Sequence, residues 1–511
     1  MFIVKVLRRD FSGIEPAAGV EFRMTRARWE AQGGPARAEI QAYGKLEALW
    51  QLFDLLRCPI EVWDEAGRAV WWGYLARVEV DEGMLHAAAD LSGMANRVAA
   101  AYLRGAAGIL SGGPREITPW AGDPASQAVY GVKEMLLRLG TAELETALAA
   151  RDVYLATHSR PRVEVQPRAA SGQGARLAAK GWFETLSWRL FARTSGQEGR
   201  LEGGAGTQLL GAATAAGRLA QSFQTGEGWA AGYAAVRPRR VGAPGDSLRV
   251  EVCADAGGVP GAVMCSSQVQ GSDLSTYLAV RRLKLEPRVR LEAGRTYWLV
   301  VSRTGGLDSA NAYSLDVDEG CAYAGGGLKM WNGSGWVARV PDADLVFAVS
   351  GLEETTRLVE QVCAADGAGQ FLAGVDAACD SGQYTGLFRS GERDGRAELI
   401  ELLEAGGPNG RRLLAQVSRE RRLRIEEEPE AAASRLRLRA DGRLVSGENT
   451  AVEPWLCPVG GWLALAEALP AAVDARQITN AARVFVEAME YDAMSDQLII
   501  EARGEVDQEE V

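Results

Sequence analysis

Apolar residues alternate with other residues along much of the chain. The alternation is strictest over residues 59–80, PIEVWDEAGRAVWWGYLARVEV. Val70, Trp72, Tyr74, Ala76, Val78 and Val80 share one face of a strand of period two, and Trp71, Gly73, Leu75, Arg77 and Glu79 share the other. Asp64-Glu65-Ala66-Gly67 supplies the turn of a hairpin. Adjacent tryptophans on such a strand point to opposite faces. One joins the core, and the other meets a neighbouring element or another subunit. Trp71, Trp72 and Tyr74 are therefore candidate assembly residues.

Residues 2–7, 14–24 and 36–42 read as strands, the last with Ala38 and Ile40 inward. Leu46, Leu49, Trp50, Phe53 and Leu56 then recur at helical spacing until Cys58-Pro59 ends the run. Residues 84–91 pair with the end of the hairpin, and residues 93–103 turn helical. A helix is expected over residues 124–139, with Asp123 as its cap and Val129, Val132, Leu136 and Leu139 on one stripe. A shorter helix follows over 141–150.

Residues 192–207, ARTSGQEGRLEGGAGT, read as a polar, glycine-rich linker. From 221 to 351 the chain is strand and turn throughout, with strands at 247–253, 262–269, 278–285, 296–302 and 345–349. That is the pattern of a two-sheet sandwich. Helical periodicity returns at Leu358, Val359 and Val362, after Glu353 and Glu354, and again over 397–405. Hairpins close the chain: 413–417 with 423–427, 436–440 around Asp441-Gly442, and 483–491 with 497–503. The expected class is mainly β with an α+β frame. The frame comprises residues 1–200 and 352–511, and the β-sandwich, residues 207–351, is inserted into it.

A chain of 511 residues, 47% hydrophobic and 24% charged, has material for several cores. No apolar run reaches the roughly 20 residues of a membrane span. The opening MFIVKVLRRDF lacks the features of a secretory signal, so cytosolic folding is expected. The net charge of −11 opposes nonspecific nucleic-acid binding, which needs basic residues near phosphates. Residues 221–351 hold 13 basic and 13 acidic residues, so the acidic excess lies in the flanks. The seven cysteines, Cys58, Cys253, Cys265, Cys321, Cys363, Cys379 and Cys457, form no CxxC pair and read as small buried apolar residues. Cys253 and Cys265 have a second reading, as partners across a hairpin.

Candidate chemistry is sparse. His86 falls on a strand and His158 in a polar loop, neither with a second histidine at metal spacing. There is no GxSxG elbow and no Walker-type loop; Gly203-Gly204-Ala205-Gly206 follows no apolar strand. Glu426-Glu427-Glu428 reads as a solvated face. No catalytic residue, metal or cofactor is expected. Asp316, Asp318 and Glu319 precede Gly320 as either a polar turn or part of a calcium loop. Trp229, Tyr233, Tyr313, Tyr323, Trp331 and Trp336 enrich the sandwich in aromatics, either as core or as a ligand surface on which sugars stack.

Ile60, Val62, Asp64, Gly67, Val70, Trp71 and Gly73, followed by Asn96, Arg97 and Val98, match a strand–turn–strand pattern of tail and baseplate-hub proteins of tailed bacteriophages. GWFETLSWRLF (181–191) and GRRLLA (410–415) also resemble such proteins. The resemblance implies tail-tube-like β-barrel domains, a ring that is often a trimer, other tail and baseplate proteins as partners, and a place in the virion tail after assembly in the host cytoplasm. DNA would pass through the lumen without specific binding. AQSFQTG (220–226), LRVEVCADAGGVPGAVM (248–264), LEAGRTYWLVVS (291–302) and AYAGGGLKMWNGSGW (322–336) resemble carbohydrate-binding-like sandwiches of jelly-roll or immunoglobulin-like form, found in phage tail and bacterial surface proteins. They imply a projecting module that contacts host surface glycan. Other readings are a glycan-binding surface protein and a tail-associated cell-wall hydrolase.

Overall fold

The computed structural model describes residues 2–13, 19–104, 116–167, 172–193, 195–201, 204, 206–213, 217–321, 323–377, 381–387, 389–430, 435–439, 441–467 and 483–504. Cys379 and residues 14–18 of the strand expected over 14–24 lie outside these residues, and residues 20–24 of it open the strand Val20–Glu30. The chain forms two compact units. The first comprises residues 1–191, 359–383 and 392–511, and the second 192–358 with 384–391. The expected limits at 207 and 351 thus fall inside the second unit.

The first unit is built on a long, curled half-barrel sheet. Its order is Ile3–Val6, Pro59–Trp63, Ala69–Glu82, Gly174–Lys180, Gly34–Gly44, Val20–Glu30, Arg483–Asp492, Trp462–Glu467, Leu436–Arg439 and Leu444–Ser446. Alternation sets which residues face the core: Met24, Ala38, Ile40, Ala42, Val78 and Val80 are at most 2% exposed. Early and late parts of the chain share this sheet, since Val20–Glu30 pairs antiparallel with Arg483–Asp492 and sets Trp29 opposite Met489. The expected hairpins are present as Pro59–Trp63 with Ala69–Glu82, Leu413–Val417 with Arg422–Glu427, and Arg483–Asp492 with Gln497–Gly504.

One expected helix is a strand instead, and another gives way to a strand halfway along. Residues 93–103 contain Arg97–Arg104, a strand parallel to Glu134–Ala142. Its run VAAAY, residues 98–102, is buried on both faces, and such a strand shows a continuous apolar run rather than an alternating one. The helix expected over 124–139 stops at Tyr130. Asp123 caps it, accepting from Ala125 N and Ser126 N, but Gly131 at φ 83° breaks it. The short helix expected next is longer than thought, Leu144–His158, and packs Ala147 against Ala100 and Tyr102. His158 ends this helix, stacked on Tyr154 at 4.0 Å, and does not lie in a loop.

Every strand pairing among the described residues of the second unit is antiparallel, and its sheets are sandwich-like. One sheet runs Pro260–Gln270, Ser247–Asp255, Thr296–Arg303, Arg218–Gln224, Leu328–Trp331 and Trp336–Ala338. A second contains Gln197–Arg200, Phe347–Glu354, Trp229–Val236 and Arg281–Lys284, and a third Gly206–Leu210, Ala312–Asp318 and Pro238–Val241. The segment expected to be a linker thus supplies the strand Gln197–Arg200 and the start of Gly206–Leu210. Its glycines fit close approaches: a Cβ on Gly199 would lie 2.5 Å from the Phe347 carbonyl oxygen. Cys253 and Cys265 are both buried and free, with Cys265 opposite Val252 rather than Cys253.

Candidate functional site

The Trp hairpin forms as expected, but it faces inward on both sides. Trp71 is fully buried and Tyr74 is 2% exposed. Tyr74 packs against Trp182 at 5.4 Å and edge-on to Trp188 at 5.6 Å, both from the turn Trp182–Trp188. Trp72 is half-buried, and its indole donates to the Val417 carbonyl at 2.9 Å. Trp71 and Tyr74 therefore serve the subunit's own core, and Trp72 meets a neighbouring element of the same chain. Elements of the chain itself cover both faces of the strand, and the neighbour of Trp72 is the strand Leu413–Val417. Gly73 lies between them because a Cβ there would sit 2.1 Å from the Lys180 carbonyl oxygen.

The same sheet ends in a bare edge. Arg162–Pro167 pairs with Leu85–Asp90 on one side and with no strand on the other among the described residues. Val163 lies opposite Ala89 and Val165 opposite Ala87, which in turn lie opposite Val78 and Val80. Cross-strand partners share a face. The row that begins fully buried at Val78 and Val80 thus ends at Val163 and Val165, exposed to 66% and 62%. Met84 and Leu85, at the adjoining turn, are exposed too. On the other face Arg162, Glu164 and Gln166 lie opposite Asp90, Ala88 and His86, and His86 Nδ1 is 2.7 Å from Asp81 Oδ1. A second strand with a free edge among the described residues, Gln497–Gly504, exposes Ile499. Sequence reading missed Arg162–Pro167. Its signal was the alternation in RVEVQP, which is only six residues long.

Two of the six sandwich aromatics, Trp229 and Tyr313, are interior, which corrects their reading as ligand-binding residues. Both lie on strands whose inward faces build the core, and the Tyr313 hydroxyl is spent on the Asp246 carbonyl at 2.8 Å. Tyr323 is half-buried and edge-on to Phe347 at 5.3 Å. Trp331 and Trp336 meet edge-on at 5.6 Å, and Trp336 packs on the cluster of Ala220, Cys253, Trp298 and Val300. Tyr233 is 39% exposed and lines a recess of 340 Å³ with Gln197, Arg282, Ser350 and Arg389.

No family model and no curated protein matches the chain. Among solved structures, it is similar at 8% identity to an arabinoxylan arabinofuranohydrolase of glycoside hydrolase family 43 from Bacillus subtilis, over 55% of this chain and 63% of that one, at a TM-score of 0.16. It is similar at 7% identity to the Cry4Aa toxin of Bacillus thuringiensis, over 62% and 57% of the two chains, at 0.16. The third is VP2 of infectious bursal disease virus, at 9% identity over 66% and 78%, at 0.12. The chain spans less than two thirds of the first two proteins. Likeness at this level carries no argument about fold or chemistry.

The remaining candidates resolve locally. Asp316 is not in a turn but in the strand Ala312–Asp318, 3% exposed and 2.7 Å from Arg237 Nη1. Burial raises its carboxyl above the usual value against the pull of Arg237. No cluster of three metal-binding side chains occurs among the described residues. Glu427 and Glu428 are not a solvated face: Glu427 accepts from Asn409 and Arg411, and Glu428 pairs with Arg412 and Arg503. Lys133 lies in a cleft of 460 Å³ beside Tyr74, Asp90 and Trp188. Burial lowers its ammonium to about 8, and it donates to the Leu91 and Ser92 carbonyls at 2.6 and 2.8 Å. Those bonds make it a clamp on a loop rather than a base with a free lone pair.

Proposed function

We propose that the chain is a structural subunit of a phage tail tip or baseplate, hub-like, of which three copies close a ring about the tail-tube axis. One observation carries this reading: the buried row of the first unit runs out onto Val163 and Val165 at an unpaired strand edge. An edge of this kind templates pairing with another chain unless something blunts it. Gln497–Gly504 offers a second, different edge on the same unit. Two different edges permit head-to-tail pairing, which generates a ring when the rotation closes.

Charge supports the same reading. The second unit holds 18 basic and 17 acidic residues, and the first holds 38 and 50. An acidic ring would let DNA pass without sticking. In this proposal the first unit has the tail-tube-like architecture of a hub. The second is a jelly-roll or immunoglobulin-like module that touches host surface glycan at the Tyr233 recess.

Mass photometry of the purified chain tests the ring. Three copies are expected for the wild type and a folded monomer for Val163→Lys/Val165→Lys. A wild-type monomer at micromolar concentration, or a trimer that survives the double substitution, overturns the proposal. Glycan-array binding that Tyr233→Ala abolishes is the expected result for the second unit.

A further inference from the structure

Arg57 and Arg421, from separate parts of the first unit, meet at Phe371, and the charge of Arg9 acts on Arg57 from beside them. Arg57 is 7% exposed, and its guanidinium carbon lies 5.2 Å from the Phe371 ring centre. Arg421 donates from Nη1 to the Phe371 carbonyl at 3.0 Å and stacks on Phe11 at 3.6 Å. Arg9 donates from Nε to the Leu56 carbonyl at 3.1 Å, beside Arg57 in the chain. The positive charges of Arg9 and Arg421 both act on Arg57.

Cations placed together like this normally have carboxylate partners. The Arg57 guanidinium has no hydrogen-bond or ion-pair partner among the described residues, and its buried Nε is unpaired. Asp10 is the carboxylate that acts on it, but Asp10 is exposed and accepts from Ser12 N at 2.9 Å. Burial brings Arg57 down to about 10 and lowers Arg421 as well. The backbone is also held in an unusual state here. Phe11, Arg57 and Arg421 all adopt left-handed conformations, at φ 65°, 66° and 63°. Non-glycine residues rarely do so, and such strain persists where surrounding structure imposes it.

We propose that Arg9, Arg57 and Arg421 form a binding site for a phosphate group. Guanidinium groups carry several donors in a fixed fork, and three of them arriving from three segments suit a tetrahedral oxyanion better than a planar carboxylate. Arg9 and Arg421 are half-buried, so the ligand reaches the site from solvent, while Arg57 forms its floor. The site is independent of ring assembly and of the sandwich.

The test is calorimetric titration of the full chain at constant ionic strength. The probes are inorganic phosphate and glycerol phosphate, with chloride and acetate as controls. Saturable binding of phosphate and weaker binding of acetate are expected. Binding of inorganic phosphate alone identifies the free ion as the ligand, and tighter binding of glycerol phosphate identifies a monoester. Arg421→Gln should weaken phosphate binding about tenfold, the effect of one charge-assisted contact. Arg57→Met should abolish it. If Arg57→Met fails to fold, Arg421→Gln and Arg9→Gln carry the test. No phosphate binding beyond the chloride control, or undiminished binding in these variants, overturns the proposal.

Discussion

Arg303 grips Asp246 with both arms of its guanidinium, Nε to Oδ2 and Nη2 to Oδ1, each at 2.8 Å, with the side chains only 7% and 14% exposed. The remaining arm donates to the Gly211 and Asn311 carbonyls at 3.1 and 3.0 Å. One side chain thus ties four segments of the second unit together. Burial would raise the Asp246 carboxyl, but Arg303 and the Gly305 amide hold it below the usual range. Removing one partner of a buried pair strands the other charge, which costs about 3–5 kcal/mol. Asp246→Ala should lower the calorimetric transition of the second unit by that order. Arg303→Lys should also destabilise it, because an ammonium cannot reproduce the fork.

The two tryptophans of the hairpin should separate cleanly. Trp71 is fully buried, and Trp71→Ala should cost about 3–5 kcal/mol. Trp72→Phe keeps most of the packing and loses the bond to Val417, so it should cost about 1 kcal/mol. Chemical denaturation of the intact chain measures both. Neither change should alter the number of copies in the particle, since both side chains serve the subunit's own fold.

Strands of period two and tight turns were legible in the sequence because their signals are local. The hairpins at Leu413–Val417 and Arg483–Asp492 fall where alternation and turn residues placed them. Arg97–Arg104 was not legible, because a strand buried on both faces loses its alternation, and alanine favours helices on its own. The glycine-rich stretch before 207 misled for a related reason. Glycine signals either a flexible linker or a close approach, and only the partner strand decides which. The phosphate-site arginines lie at 9, 57 and 421, and no spacing rule connects positions so far apart. For the same reason the inward role of Trp71 needed the covering segments to be seen.

Acid should loosen the hairpin Leu413–Val417 with Arg422–Glu427. Burial would raise the Glu427 carboxyl, but hydrogen bonds from the Asn409 side chain and amide and from Arg411 outweigh it and hold it at about 2. Its value in the unfolded chain is near 4.5. A depressed carboxyl contributes stability that is complete above the unfolded value and is lost as pH falls through the folded one. Melting temperature should therefore drop between pH 5 and about 2. Glu427→Gln should be less stable at pH 7, fall less steeply across that window and converge with the wild type near pH 2. Parallel curves for the two proteins would show that Glu427 does not couple to folding.

The limits of the second unit predict which fragment of it folds. Residues 207–351 alone would lack Gln197–Arg200, which pairs with residues 347–350 of the strand Phe347–Glu354. They would also lack residues 352–354 of the same strand together with Tyr384–Gly386, which pairs with them. Without them that strand keeps Trp229–Val236 as its partner but exposes its other edge, with Phe347, Ala348 and Val349 behind it. An uncovered edge of this composition favours aggregation. Residues 192–358 restore the first pairing and should give a monomeric fragment with dispersed amide resonances, whereas residues 207–351 should aggregate or melt at a lower temperature. Joining residues 384–391 to the longer fragment through a glycine–serine linker should stabilise it further, since a closing loop costs little once it is flexible. If residues 207–351 fold as well as the longer fragments, the two flanking strands add nothing to the core of the unit.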